Sequence, residues 1–233
     1  MSEADPLRAR CLSELGVEHG FGTRASFDAT PHDVVFAQQV HGTTLLRIPA
    51  EPGERDADAL WTDQPGRAVG VYTADCVPIL IAHESGRFVC AVHAGWRGSA
   101  SRIAALSVRA LVATTGCRPS ELRAAIGPHI GPCCYEVDAP VLAAIPERSV
   151  FRAAGRPDHA QLDLFALNRL QLVGAGVPAR AIERVGGCTA CDAERYASYR
   201  REHGSARMLH FVRAWRPPSR RRSEGSGLPC HSP

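Results

Sequence analysis

The sequence predicts an α/β protein built on mixed sheets. Two observations carry this. Apolar, β-prone runs alternate with stretches of helical apolar spacing. Two neighbouring runs, Val77–His83 and 88–93, are separated by Glu84-Ser85-Gly86-Arg87, a turn that makes them an antiparallel hairpin. A purely parallel sheet contains no such hairpin, so the sheets must be mixed.

Taken in order, 34–48 is apolar around Gln38-Gln39-Val40-His41-Gly42 and reads as a strand, a polar interruption and a second strand, followed by a loop over 49–56. Ala68–Thr73 is an apolar strand. The stretch 98–115 has helical spacing, with Ser99 or Ser101 as its cap and Gly116 as its stop. Leu122–Ile126 reads as a strand that runs into Gly127-Pro128-His129-Ile130-Gly131-Pro132-Cys133-Cys134-Tyr135, a loop too rich in Gly and Pro for a regular element. A short helix is expected over 137–144 and an amphipathic one over 162–175 beginning at Asp163. The last strands fall at 182–185 and 207–215. No linker-like stretch interrupts this pattern, so residues 1–215 form a single domain. Residues 216–233 are rich in Arg, Pro, Ser and Gly and are expected to be a disordered, dispensable tail.

Composition narrows the function. Of 233 residues 45% are hydrophobic, enough for a sizeable core. The net charge of +3 resides wholly in the tail, where Arg216, Arg220, Arg221 and Arg222 outweigh Glu224. A neutral body does not fit a nucleic-acid binder, which carries its charge on a folded face. No apolar run is long enough to span a bilayer, and residues 1–10 lack the apolar segment of a secretory signal, so a cytoplasmic protein is expected. Nine cysteines, an odd number in such a chain, then read as reduced thiols rather than disulfides. There is no lysine, which excludes Schiff-base chemistry and a Walker lysine. A monomer acting on a small molecule is expected.

A hairpin turn centred between Ser85 and Gly86 sets residue 78 opposite residue 93. Cys76 and His93 then share the open end of the hairpin, close enough to share a metal or a proton. Three readings stand at this point: a thiolate–imidazole pair for nucleophilic catalysis, two ligands of a zinc ion, or a buried Cys beside a hydrogen-bonded His. His41, followed by Gly42, is the natural third ligand, and a His-Cys-His set leaves a position for water or a substrate oxygen. Cys188-x-x-Cys191 has metal or redox spacing but lacks a second pair at zinc-ribbon distance. Cys133-Cys134 are adjacent, and adjacent cysteines rarely ligate one metal, so these four read as structural. His129 is a further candidate for substrate contact. Tyr199-Arg200-Arg201 could bind an anion.

The motifs Gln39-Val40-His41-Gly42, Thr73-Ala74-Asp75-Cys76-Val77-Pro78, Ala91-Val92-His93-Ala94-Gly95-Trp96-Arg97-Gly98, Gly131-Pro132-Cys133-Cys134-Tyr135-Glu136-Val137 and Ala197-Ser198-Tyr199-Arg200-Arg201 together resemble the laccase-domain family, also called the multicopper polyphenol oxidoreductase or peptidoglycan editing factor family. The resemblance runs from about His19 to Val212. It implies a four-layer α/β/β/α fold similar to the catalytic domain of cytotoxic necrotising factors. It implies zinc held by His41, Cys76 and His93, with copper as the alternative that the laccase label carries. The activity implied is phosphorolysis of adenosine, inosine, guanosine and methylthioadenosine, with some adenosine deamination. The older labels imply phenol oxidation, or amide hydrolysis on serine-containing peptidoglycan precursors. Arg24, Arg97 and Arg200 become candidates to orient phosphate, Asp58 and Asp75 to meet a ribose hydroxyl or the base, and Gln39 to contact substrate. A cysteine amidase with Cys76 as nucleophile, and a non-enzymatic metal or redox protein, are the rivals. The sequence departs from the family after Arg24, where Ala25-Ser26-Phe27 leads almost directly to Pro31. It departs again at His129, where a cysteine is common, and after Trp215.

Overall fold

A computed structural model describes residues 5–26, 31–51 and 53–215. In chain order the elements are α1 (Arg10–Ser13), β1 (His19–Phe21), β2 (Val34–Val35), β3 (Leu45–Arg47), β4 (Ala59–Thr62), β5 (Ala68–Thr73), β6 (Val77–His83) and β7 (Val89–Ala94). There follow α2 (Trp96–Ala100), α3 (Ile103–Thr115), β8 (Leu122–Ile126), β9 (Glu136–Val137), α4 (Ala139–Ala144), β10 (Phe151–Ala153), β11 (Ala160–Leu162), α5 (Leu164–Gly174), β12 (Ile182–Arg184), α6 (Tyr199–Glu202) and β13 (Met208–Arg213). The expected tail, 216–233, lies outside the described residues.

The largest sheet has six strands in the order β12-β8-β6-β7-β4-β3. Its two outer pairs, β12 with β8 and β3 with β4, are parallel, and the inner pairs are antiparallel. A four-stranded sheet, β1-β13-β5-β2, is antiparallel except where β2 joins β5. A small third sheet, β10-β11-β9, is antiparallel. The fold is therefore α/β with mixed sheets. The β6–β7 hairpin sets Pro78 opposite His93, the register its turn requires.

The alternation of side chains along β6 and β7 builds two cores, one on each face of the six-stranded sheet. Val77, Ile79, Ile81, Cys90 and Val92 pack with Ile103, Val108 and Leu111 of α3 and Leu164, Leu167 and Leu172 of α5. Leu80, Ala82, Val89 and Ala91 pack with Val69, Val71, Met208 and Val212 of the four-stranded sheet. Each fully buried Leu, Ile or Val in these layers contributes about 1.5–3 kcal/mol. Among the described residues the outer face of the four-stranded sheet carries a cluster of Val34, Ala68, Leu209 and Phe211, with Phe36 and Tyr72 packed on them, to which no helical residue contributes.

Several boundaries differ from the sequence reading. The helix expected over 98–115 is two helices, α2 and α3, broken at Arg102, whose φ of 65° is left-handed. Neither Ser99 nor Ser101 caps α3; Gly116 does stop it, at φ 72°. Asp163 caps α5 by accepting from the Ala166 amide, as expected, but Leu162 belongs to β11. The segment 137–144 begins in β9 and becomes helical only at Ala139. The strand β4 was not foreseen. Among the described residues no helix is long and apolar enough to cross a membrane.

Candidate functional site

His93 lies on β7 at the same parity as Val89 and Ala91, so it points between the two sheets and is buried. Cys76 stands just before β6, after Asp75, which takes a left-handed φ of 81°. His41 also takes a left-handed φ, 60°, in the loop between β2 and β3. One ligand atom each from His41, Cys76 and His93 falls within 4.8 Å of the other two. The two imidazole rings meet edge to face, centroids 4.8 Å apart.

Asp58 makes this arrangement possible. It is fully buried at the head of β4. Its Oδ1 accepts from the His41 amide at 3.0 Å and from His93 Nδ1 at 2.8 Å, while its Oδ2 accepts from the amides of Gly42 at 2.6 Å and Val40 at 3.3 Å. One carboxylate thus folds the loop carrying His41 and fixes the ring of His93. The bond at Nδ1 leaves His93 Nε2 for the cluster. Burial disfavours the protonated ring of His93, but the bonds to Asp58 and Cys76 outweigh it and hold its pKa up at about 9. Burial likewise works against the Asp58 carboxylate, and the His93 bond with the loop amides overcomes it, keeping its pKa low. His41 shifts down, through burial and the neighbouring His93.

Gly95 closes the cluster from below. A Cβ there would stand 2.9 Å from His41 Nδ1 and 3.1 Å from Cys76 Sγ. The space a side chain would fill is what lets the imidazole and the thiol converge.

The cluster opens into a cavity of about 700 Å³. His41, Cys76 and His93 form one end. Tyr72, Trp96, Tyr135 and Tyr199 supply aromatic walls, and Arg97, Arg200 and Arg207 supply positive charge. Arg97 stacks on Trp96, and Arg200 lies over Tyr135 while donating to the Glu136 carbonyl. Burial pushes the Tyr135 hydroxyl up to about 12, so it remains a donor at neutral pH.

Of the residues expected to meet substrate, Gln39, Asp75, Arg97 and Arg200 border this cavity. Two of them are already engaged. The Gln39 amide brackets the backbone of Tyr72, accepting from its N–H at 2.8 Å and donating to its carbonyl at 2.9 Å. Asp75 accepts from Thr189 Oγ1 at 2.5 Å and from the Arg200 amide at 2.6 Å. Asp58 does not line the cavity, because both its oxygens are consumed beneath it. Arg24 does not line it either: its guanidinium bonds to the carbonyls of Ala193 and Tyr196 and pairs with Glu202. His129 is buried away from the cavity, bonded to the Gly127 carbonyl and stacked on Phe165. Tyr72, Trp96, Tyr135 and Arg207 carry no mark in the sequence as substrate contacts, because they come from four separate segments that only the fold brings to one cavity.

The description multi-copper polyphenol oxidoreductase laccase applies to the family model that matches residues 22–214. The purine nucleoside phosphorylase YlmD of Geobacillus stearothermophilus is 37% identical over 194 residues, covering 76% of this chain and 71% of that protein. A purine nucleoside phosphorylase of Xylella fastidiosa is 38% identical over 197 residues, covering 80% of this chain and 72% of that one. The crystal structure of YlmD from Geobacillus stearothermophilus superposes with a TM-score of 0.81 at 30% identity, over 92% of this chain and 98% of that one. That of the Bacillus licheniformis hypothetical protein YfiH gives 0.76 at 30% identity, over 85% and 92%. With the family model covering nearly all the described chain, and these relatives aligned along most of it, the chain belongs to the multi-copper polyphenol oxidoreductase laccase family.

Proposed function

We propose that this chain is a zinc-dependent purine nucleoside phosphorylase acting on adenosine, inosine, guanosine and methylthioadenosine. The observation that supports it most is the composition of one cavity: a three-ligand cluster, four aromatic walls and three arginines border the same space. Relatives named purine nucleoside phosphorylase point the same way.

The donor set fits the metal. Tetrahedral zinc with one sulfur at about 2.3 Å and two nitrogens at about 2.0–2.1 Å requires ligand atoms roughly 3.3–3.6 Å apart. His41, Cys76 and His93 stand within reach of that spacing, and Gly95 leaves the room it needs. A zinc ion held by His41, Cys76 and His93 would supply a Lewis acid at the end of the cavity.

The chain's own residues supply the rest. In phosphorolysis a phosphate oxygen bonds to the anomeric carbon, the bond from that carbon to the purine nitrogen breaks, and the departing base takes up a proton. Arg97, Arg200 and Arg207 are suited to hold the phosphate anion, Arg97 and Arg200 being held in place by Trp96 and by Tyr135. Tyr72, Tyr199 and Trp96 offer flat apolar surface to the purine. Tyr135 lines the same space, where its hydroxyl can hydrogen-bond the departing base while water supplies the proton. Asp75 and Gln39 act as braces of the wall, and Asp58 orients the two histidines.

The test is a panel of the four nucleosides with and without inorganic phosphate, products separated by chromatography. Free base with ribose 1-phosphate, or with 5-methylthioribose 1-phosphate from methylthioadenosine, formed only when phosphate is present, is the expected result. Free ribose would mean hydrolysis, and conversion of adenosine to inosine without phosphate would mean deamination.

A further inference from the structure

Four cysteines that lie far apart in sequence converge beside the cavity, outside the cluster of His41, Cys76 and His93. Cys133 and Cys134 occupy a tight turn in which the amides of Cys134 and Tyr135 both donate to the Gly131 carbonyl at 3.0 Å. Cys188 and Cys191 occupy a second turn, joined to the first where the Thr189 amide donates to the His129 carbonyl at 3.0 Å. Cys191 Sγ lies 3.5 Å from Cys133 Sγ and 3.4 Å from Cys134 Sγ, and all four sulfurs fall within 4.8 Å of one another.

Three features distinguish this from a chance meeting of thiols. Four sulfurs at about 2.3 Å around a tetrahedral zinc stand roughly 3.8 Å apart, which these separations bracket. The Gly131 amide donates to Cys188 Sγ at 3.2 Å, so a backbone dipole points at that sulfur. Gly131 is also a place where a side chain would intrude: a Cβ there would sit 3.3 Å from Cys133 Sγ and 3.6 Å from Cys188 Sγ. A disulfide would bring a pair to about 2.05 Å, far inside the 3.5 and 3.4 Å that separate Cys191 Sγ from Cys133 and Cys134 Sγ. Among the described residues every cysteine is free.

We propose that Cys133, Cys134, Cys188 and Cys191 hold a structural zinc ion, a second metal site whose task is to pin one wall of the cavity. A closed set of four thiolates leaves no position for substrate. Its two turns lead directly to residues of the cavity. Tyr135 follows Cys134, and Thr189, between the second pair, donates to Asp75 beside Cys76. Arg201 ties the second turn further, donating to the carbonyls of Thr189 and Ala190. The adjacency of Cys133 and Cys134 is no obstacle, because the turn directs both sulfurs towards Cys191.

The test counts zinc and thiols in protein purified from zinc-supplemented cells without chelators. Cys133→Ser/Cys191→Ser is expected to carry about one zinc fewer per chain than the unsubstituted protein, whatever His41, Cys76 and His93 hold. His41→Ala is expected to keep that same zinc. Cobalt substituted into the unsubstituted protein should show sulfur-to-metal charge transfer of tetrathiolate strength, a readout that survives even if the serine variant does not fold. Thiol titration after denaturation and chelation should find all nine cysteines reduced. Equal zinc in the serine variant and its parent, iron in place of zinc, cobalt absorption of a single thiolate, or a disulfide among the four would each overturn the proposal.

Discussion

Asp58→Asn keeps the shape of the side chain, removes its charge and turns one acceptor into a donor. In the structure each carboxylate oxygen takes two N–H groups: Oδ1 those of His41 and His93, Oδ2 those of Gly42 and Val40. Whichever way the asparagine amide turns, its NH2 faces two donors. Two hydrogen bonds to a charged group are lost, at about 1.5–3 kcal/mol each. Relaxation of the loop recovers part of this, so a net loss of roughly 3–5 kcal/mol is expected, the usual range for breaking a buried charged pair. Urea denaturation of the metal-free protein measures it. The histidines also lose their orientation, so zinc affinity by chelator competition should weaken by about 10–100-fold, as when the outer partner of a ligating histidine is removed. Stability within about 0.5 kcal/mol of the parent together with unchanged zinc affinity would refute the role given to Asp58.

Gly95→Ala adds no polar atom, yet its Cβ would crowd His41 and Cys76. It should weaken zinc binding at that cluster while leaving the four-cysteine site filled, and equal affinity in a competition titration would count against convergence of the ligands over Gly95. Buried His210 takes the Gly22 amide on Nδ1 and directs Nε2 at Thr73, and burial pushes its pKa down to about 3. An unfolded histidine titrates near 6.5, so the unfolded chain takes up the proton first. This contribution is therefore complete above about pH 6.5 and is lost as pH falls towards 3, costing ~2 kcal/mol by pH 5. Urea denaturation at pH 7.5 and 5 should show a smaller acid loss in His210→Gln than in the parent; an equal loss in both would remove His210 from the cause.

Local chemistry made much of the fold legible. Glu84-Ser85-Gly86-Arg87 fixes the register of β6 and β7 because a turn's centre determines every opposing pair, so Cys76 and His93 could be brought together from the sequence. Asp163 and Gly116 are helix signals with their own mechanism, and both occupy the positions they mark. The break at Arg102 is not legible in the sequence, since neither Gly nor Pro marks it. The strand β4 follows the polar run Arg55-Asp56-Ala57-Asp58 and is too short to show alternation. A carboxylate near a motif has no sequence mark of what it bonds, so the sequence points Asp58 at the substrate rather than at the loop amides and His93. Its partner His93 is on another strand. The convergence of the four cysteines has no sequence signature, because their two pairs are separated by more than fifty residues and meet through the turns that carry them. Arg24 is a candidate for phosphate by residue type alone, but Glu202 and two carbonyls claim its guanidinium.

The most direct test of the proposed chemistry is a single incubation of the zinc-loaded protein with inosine and isotopically labelled inorganic phosphate. Phosphorolysis predicts hypoxanthine and labelled ribose 1-phosphate in equal amounts, with both products lost in Cys76→Ala and reduced when Arg97 or Arg200 is replaced by alanine. Intact inosine, together with intact adenosine and methylthioadenosine under the same conditions, would contradict it. Hydrolysis of a muramoyl-serine precursor by the same preparation would then move the activity to amide chemistry at Cys76.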